Sequence, residues 1–178
     1  MFVAASIVEY LKRNRLVITT AESCTAGKII TLLSEVDGGG SCIESGYVVY
    51  SPEAKQRLLK VRAHTINTFN LTSCEVAREM VPGALDDSPA NVAIATTGIL
   101  GPDVIDGIPP GTVCFAWAYR IGRGLSVFSR KERFMGSRQE VQLAASLHAL
   151  KSLPHFHQLA MAGEGTWRSL IHSLRKAP

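Results

Sequence analysis

The sequence predicts an α/β fold: a single-domain three-layer α/β/α sandwich with a mixed, largely parallel sheet plus an antiparallel hairpin. Three observations carry that expectation. Short β-branched runs alternate with helical periodicity through the first half of the chain, the pattern of parallel strands joined by right-handed helical crossovers. Two alternating runs then flank Gly122-Arg123-Gly124, as in a β-hairpin. The 178 residues suffice for one substantial core and are few for two, and contents of 46% hydrophobic and 19% charged residues are those of an ordinary globular chain.

The elements follow in order. Val3, Ile7, Tyr10 and Leu11 share one helical face at the N-terminus while Glu9, Lys12 and Arg13 lie elsewhere, which predicts an amphipathic helix and not a signal peptide. Residues 16–20 are a short apolar, β-branched run, a buried strand that ends at Glu22-Ser23. From Cys24 the pattern turns helical through Ile29, Ile30, Leu32 and Leu33, and Asp37-Gly38-Gly39-Gly40 stops it. A second strand covers residues 43–50. Ser51-Pro52-Glu53 starts a helix, with serine as N-cap, proline where its missing N–H is harmless, and glutamate at the positive dipole end.

Thr72-x-x-Glu75 reads as a capping box opening a helix through Val76 and Met80, with Pro82 awkward inside it. Residues 91–97 form a third strand, followed to Gly111 by a loop rich in glycine and proline that is too long for a plain connector. Residues 112–119 and 125–134 make the hairpin. A last helix runs from Ser137 through Val141, Leu143, Ala144, Leu147 and Leu150, and Pro154 is expected to end it. The domain is placed at 1–153, with 154–178 as a C-terminal extension holding one amphipathic helix near 167–174.

Composition excludes several classes. Cys24, Cys42, Cys74 and Cys114 are scattered, without Cys-x-x-Cys and without histidine at ligand spacing, so neither a structural metal site nor a disulfide framework is expected. No apolar run approaches the roughly 20 residues needed to span a bilayer. No membrane association is expected, and the cytoplasm is the expected compartment. A net charge of +4 suits an anionic small ligand as readily as nucleic acid. Arg168, Arg175 and Lys176 in the tail lack interleaved aromatic residues and read as a solvated face, so no nucleic-acid partner is expected.

Three polar clusters, at Ser23, at Tyr50 to Lys55 and at Thr97-Gly98, each lie just past the end of an expected strand. If those strands are parallel, all three gather at one sheet edge, where ligands bind in open α/β folds. A serine hydroxyl needs a base, and the chain has no Gly-x-Ser-x-Gly elbow. His64, His148, His155, His157 and His172 fall in a loop, on a late helix or in the tail, and read as structural or surface residues. Lys55 remains. The dipole of the helix capped by Ser51 favours its neutral form by only about 0.3 to 1 kcal/mol, less than one pKa unit. Burial must supply the rest, so Lys55 is expected to be enclosed and without a carboxylate partner. Tyr50 could hold the amine or pass a proton. Taken singly, Ser23 would be a helix N-cap, Lys55 a solvent-facing lysine, Tyr50 a strand-end aromatic and Arg138 a capping or pairing residue.

Ala-Glu-Ser-Cys-Thr-Ala-Gly at 21–27, Tyr50-Ser51-Pro52-Glu53-Ala54-Lys55, Thr97-Gly98-Ile99-Leu100-Gly101-Pro102, Pro109-Pro110-Gly111-Thr112-Val113 and Gly136-Ser137-Arg138-Gln139-Glu140 together resemble the successive blocks of the CinA C-terminal family. The resemblance covers residues 3–153. It implies an amidohydrolase that converts nicotinamide mononucleotide to nicotinate mononucleotide and ammonia without cofactor or metal, in a homo-oligomer. By the same resemblance Ser23 is the nucleophile, Lys55 its base and Tyr50 their hydrogen-bonding companion. Thr25, Thr97, Gly98 and Gly101 would line the nucleotide pocket, with Arg138 as a charged contact. Amides opening the helix after Ser23 would then hold the oxyanion.

Five positions depart from the pattern. Ala26 stands where the family has glycine, Leu100 where it has alanine, Ile108 where it has lysine, Ser137 where it has aspartate and Gln142 where it has a second arginine. Two lost cations and added bulk beside the pocket leave a second reading open. That reading is a catalytically silent or substrate-shifted paralogue that binds a pyridine nucleotide or a protein partner.

Overall fold

Residues 2–165 and 167 are described by the structure, a computed structural model. Helix α1 (Phe2–Arg13) leads into strand β1 (Ile18–Glu22), and α2 (Lys28–Ser34) and a short 3₁₀ turn lead into β2 (Ile43–Val48). Three helices follow, α3 (Pro52–Leu59), α4 (Ala63–Phe69) and α5 (Cys74–Asp86), before β3 (Val92–Gly98). The hairpin is β4 (Thr112–Ile121) with β5 (Gly124–Arg133), and α6 (Arg138–Met161) closes the fold. The sheet is five-stranded in the order β2-β1-β3-β4-β5. Its first three strands are parallel, β4 is antiparallel to β3, and β5 is antiparallel to β4.

The two faces of the sheet are unequal, and β4 shows why. Val113, Phe115, Trp117 and Tyr119 point into a core shared with α1, α2 and α6, whereas Cys114, Ala116 and Ala118 point into one shared with α3 and α5. The large face accommodates aromatic side chains only because their polar atoms are satisfied: Trp117 Nε1 donates to the Ala149 carbonyl at 2.9 Å and the Tyr119 hydroxyl to that of Leu153 at 2.7 Å. The small face lets helices lie close. At Gly83 in α5 a Cβ would stand 2.0 Å from the Leu59 carbonyl oxygen of α3, so glycine sets that approach.

Several expected boundaries move. The helix expected from Cys24 begins at Lys28, because residues 23–27 form a turn with Ala26 at φ 50° and Gly27 at φ 88°. The N-cap of α5 is Ser73, whose hydroxyl accepts from Val76 N–H at 3.2 Å, and not Thr72. Pro82 is tolerated inside α5, where Val81, Ala84 and Leu85 beside it are buried. Helix α4, which holds His64, replaces an expected loop. Pro154 does not end α6, which continues to Met161. A mid-helix proline costs about 3 kcal/mol. The turns beyond it bury Phe156, His157 and Ala160, and at roughly 1.5 to 3 kcal/mol for a large apolar side chain the packing offsets that cost.

Past α6 the chain lies along the free edge of β5. Val127 N–H donates to the Gly165 carbonyl at 2.7 Å, Trp167 N–H to that of Leu125 at 2.7 Å, and the Arg78 guanidinium sits 5.3 Å from the Trp167 ring centroid. The helix expected at 167–174 lies, apart from Trp167, outside the described residues. No helix among them is long and apolar enough to cross a membrane.

Candidate active site

The site begins with Glu22 at the end of β1. Its carboxylate is buried and accepts from the amides of Gly27 (3.0 Å), Ile29 (3.1 Å) and Ile30 (3.1 Å) and from the Thr20 hydroxyl (3.1 Å). A charge-assisted set of this kind fixes the start of α2 and the turn before it. It also corrects the oxyanion expectation: the amides that open the helix are already satisfied by Glu22. The amides of Cys24 and Thr25, in the turn itself, meet no carbonyl or carboxylate among the described residues.

Ser23 starts that turn. Its N–H donates to the Thr96 carbonyl at 3.0 Å, extending the β1–β3 ladder by one bond. Thr25 lies behind the turn, its hydroxyl 2.7 Å from that of Thr96 and both side chains buried, so it braces the turn and does not line the cavity expected of it. A second brace comes from α6, where Gln142 Nε2 donates to the Thr25 carbonyl at 3.1 Å.

Lys55 reaches the same point from α3. Ser51 caps that helix by accepting from Ala54 N–H at 3.0 Å, which sets Lys55 facing β1. The side chain is 1% exposed. Its Nζ lies 2.9 Å from Ser23 Oγ, 2.8 Å from the Val49 carbonyl and 3.1 Å from the Tyr50 carbonyl, and no carboxylate is among these partners. Burial pushes the ammonium pKa down to about 8. The Cys24 thiol is itself pushed up to about 12 by burial and stays protonated at neutral pH.

Tyr50 contributes differently from expectation. Its main-chain carbonyl holds the amine, while its phenol, on a side chain 59% exposed, accepts from Arg138 Nη2 at 2.8 Å. Arg138 opens α6 and donates from Nη1 to the Gly101 carbonyl at 3.1 Å, tying the loop after β3 to the start of α3. Thr97 donates its hydroxyl to the Leu71 carbonyl at 2.8 Å. Gly98 is required by close approach, since a Cβ there would stand 2.6 Å from the Thr112 carbonyl oxygen, and Gly101 sits at φ +111°.

These residues enclose a cavity of about 260 Å³ whose wall includes Ser23, Tyr50, Lys55, Thr97, Gly98, Gly101 and Arg138. Asp106, which residue-by-residue reasoning overlooked, lines it as well. So did the roles of Glu22 and Gln142 escape notice. An acid just before a helix and a residue four places after Arg138 on the same helical face were the available signals. Of the five departures, Leu100 lines this cavity and Ser137 an adjoining one, whereas Ala26, Ile108 and Gln142 line neither. Ile108 and Gln142, where the family pattern has cations, thus lie outside both linings.

The described histidines lie elsewhere. His157 Nδ1 pairs with the Tyr10 hydroxyl at 2.9 Å, and His148 packs 4.9 Å from the Phe115 ring. His64 and His155 are exposed. Among the described residues no cluster of three or more histidine, cysteine or acidic side chains could hold a metal ion.

The sequence model of the CinA C-terminal domain matches residues 2–157. The nicotinamide-nucleotide amidohydrolase PncC of Escherichia coli (strain K12) is 36% identical over 154 residues, which is 86% of this chain and 92% of that one. The protein of the same name from Pseudomonas putida is 38% identical over 151 residues, 84% and 92% of the two chains. A CinA-like protein of Chlorobium phaeobacteroides (strain BS1) is 40% identical over 79% of this chain but only 34% of its own length. Among solved structures, a competence-damaged protein (CinA) superfamily protein from Klebsiella pneumoniae 700603 superposes with a TM-score of 0.80 at 33% identity, over 86% of this chain and 96% of that one. The competence/damage inducible protein CihA from Agrobacterium tumefaciens gives 0.78 at 36% identity, over 84% and 90%.

Proposed function

Because this chain belongs to the CinA C-terminal domain family, we propose that it hydrolyses the carboxamide of nicotinamide mononucleotide, giving nicotinate mononucleotide and ammonia, with Ser23 as nucleophile and Lys55 as base. The observation that carries this reading is the buried Lys55 amine 2.9 Å from the Ser23 hydroxyl. A neutral amine has two N–H bonds, and two carbonyls stand at 2.8 and 3.1 Å to receive them. In the ammonium form Nζ donates to Ser23 Oγ as well, and in the neutral form its lone pair is left to accept the Ser23 hydroxyl proton. With a pKa of about 8, roughly a tenth of the amine is neutral at pH 7 and about half at pH 8.

In the reaction Ser23 Oγ attacks the carboxamide carbon as its proton passes to Lys55 Nζ. The carbonyl π bond opens, and the resulting oxyanion is held by the amide of Cys24, which lines the cavity. The C–N bond then breaks, Lys55 returns its proton to the departing nitrogen, and ammonia leaves an acyl-serine. Water attacks that ester as Lys55 takes one of its protons, the C–Oγ bond breaks as Lys55 returns that proton to Ser23 Oγ, and the new carboxylic acid releases its own proton to solvent as the carboxylate product forms. Asp106, on the same cavity wall, offers a carboxylate to the ribose hydroxyls.

A paralogue without catalysis gains nothing from an uncharged lysine held against a serine, since burying that amine lowers stability. The test is ammonia release from nicotinamide mononucleotide by the purified protein. Ser23→Ala and Lys55→Ala should each lower kcat by about 10³-fold or more while melting cooperatively. Full turnover in either folded variant would remove the pair from the mechanism.

A further inference from the structure

Beside the catalytic cavity lies a second one of about 430 Å³, and the two share Leu100, Gly101 and Arg138 as a common wall. Among the described residues, the only charged side chains lining the second cavity are Arg133 and Arg138. Arg133 ends β5 and is tethered through Nε to the Pro110 carbonyl at 3.3 Å, and neither arginine is in an ion pair among the described residues. Ser137 joins the lining at the positive end of the 24-residue α6. It is a neutral hydroxyl at the place where the family pattern has an aspartate. The carboxylate beneath it, on Glu140, is engaged by the Ser137 N–H and hydroxyl, both at 2.7 Å, and does not line the cavity. The catalytic cavity, by contrast, carries Asp106 as well as Lys55. The amide end of the site is thus electrostatically mixed, and the adjoining end is purely cationic.

The geometry points to the second cavity as the seat of the phosphoryl group of a pyridine nucleotide whose carboxamide lies at Ser23, with Arg133 as a specificity-determining contact. The inference rests on the amidohydrolase reading for the position of the carboxamide. Arginine presents a planar fork of donors that matches phosphate oxygens, and two such forks lining one cavity with no lining carboxylate among the described residues favour a dianion over a neutral group. A volume of about 430 Å³ exceeds what one phosphate fills. The shared chemistry is therefore a 5′-phosphoryl group, either a monoester or part of the pyrophosphate of a dinucleotide.

The experiment compares nicotinamide riboside, nicotinamide mononucleotide and nicotinamide adenine dinucleotide as sources of ammonia, with the wild-type protein, Arg133→Gln and Arg133→Lys. The ratio of kcat/KM for the mononucleotide to that for the riboside should fall about ten- to a hundredfold in Arg133→Gln, mostly through KM, and by less in Arg133→Lys. A parallel fall for the dinucleotide would place a pyrophosphate in the same seat, and a fall for the mononucleotide alone would restrict it to a monoester. Calorimetric titration of mononucleotide into Ser23→Ala, with and without Arg133→Gln, reads binding without turnover and should show a similar loss. If ammonia is released but neither the ratio nor the affinity moves, the phosphoryl seat is wrong and the amidase reading stands. If no substrate yields ammonia yet Arg133 still governs affinity for the mononucleotide, the amidase reading falls and the seat survives.

Discussion

Lys55 is where chemistry and stability pull in opposite directions. Its pKa in the folded protein is about 8, against 10.5 for the unperturbed side chain, so between those values the unfolded chain binds more protons than the folded one. Stability contributed by this residue therefore rises with pH from about 8 to 10.5 and is at its lowest, by about 3 kcal/mol, below 8. The unfolding free energy of the wild-type protein, referred to that of Lys55→Met, should climb between pH 8 and 10, and a flat difference would mean the amine is not depressed. Ala26 offers a simpler case. A non-glycine residue at φ 50° is strained, and Ala26→Gly should stabilise by up to about 1 kcal/mol. A lowered melting temperature would contradict that account. Gln142 touches the turn but neither cavity, so Gln142→Ala should lower kcat about tenfold with little change in KM, and Gln142→Arg, which restores a donor, should recover most of it. Equal loss in both variants, tracking their melting temperatures, would leave Gln142 a purely structural role.

At the level of elements, what was legible in the sequence is what neighbouring residues decide. Ser51-Pro52-Glu53 carries its own capping chemistry, and α3 begins where those three residues place it. The Gly122-Arg123-Gly124 turn likewise sets the hairpin, with Ile121 facing Gly124. Distant contacts decided the rest. Pro154 was expected to end a helix because its local cost is visible, whereas the compensating burial of Phe156 and His157 comes from residues far along the chain. Helix α2 starts late because residues 23–27 turn before it, and although an acid before a helix is a visible signal, its burial against the amides of that turn and helix is not. Ser23, Lys55 and Thr97 could be picked out because each follows a strand end, but Thr25 could not be told from a lining residue without knowing that Thr96 would claim it. The Glu22 network carries its own expected outcome. Glu22→Gln replaces an acceptor pair serving three amides with a group that accepts on one side only, and should destabilise the protein by about 2 to 4 kcal/mol. A change below about 0.5 kcal/mol in urea unfolding would mean the network does not hold α2.

In the molecule as a whole, the parallel strands β1, β2 and β3 bring Ser23 and Lys55 to one edge of the sheet, while the aromatic core and its histidines lie behind it. This separation predicts two distinct pH windows. Burial lowers the pKa of both His148 and His157 from 6.5, so below about 6.5 the unfolded chain takes up protons that the folded one resists. Stability from these two residues is complete above 6.5 and is lost as pH falls through their folded values. The Lys55 contribution, in turn, is level below about 8. Between pH 8 and 6.5 each of these three residues changes stability by no more than about 0.4 kcal/mol, yet the neutral fraction of Lys55 falls steadily, about tenfold for each pH unit well below 8. The kcat/KM for ammonia release should therefore drop along an acid limb with an apparent pKa of about 8, with the urea midpoint following only below pH 6.5. His157→Gln should flatten the acid part of the stability curve and leave the limb of the activity profile where it is. An activity limb near 6.5 that moves with His157→Gln would mean that loss of fold, and not protonation of the amine against Ser23, sets the pH dependence.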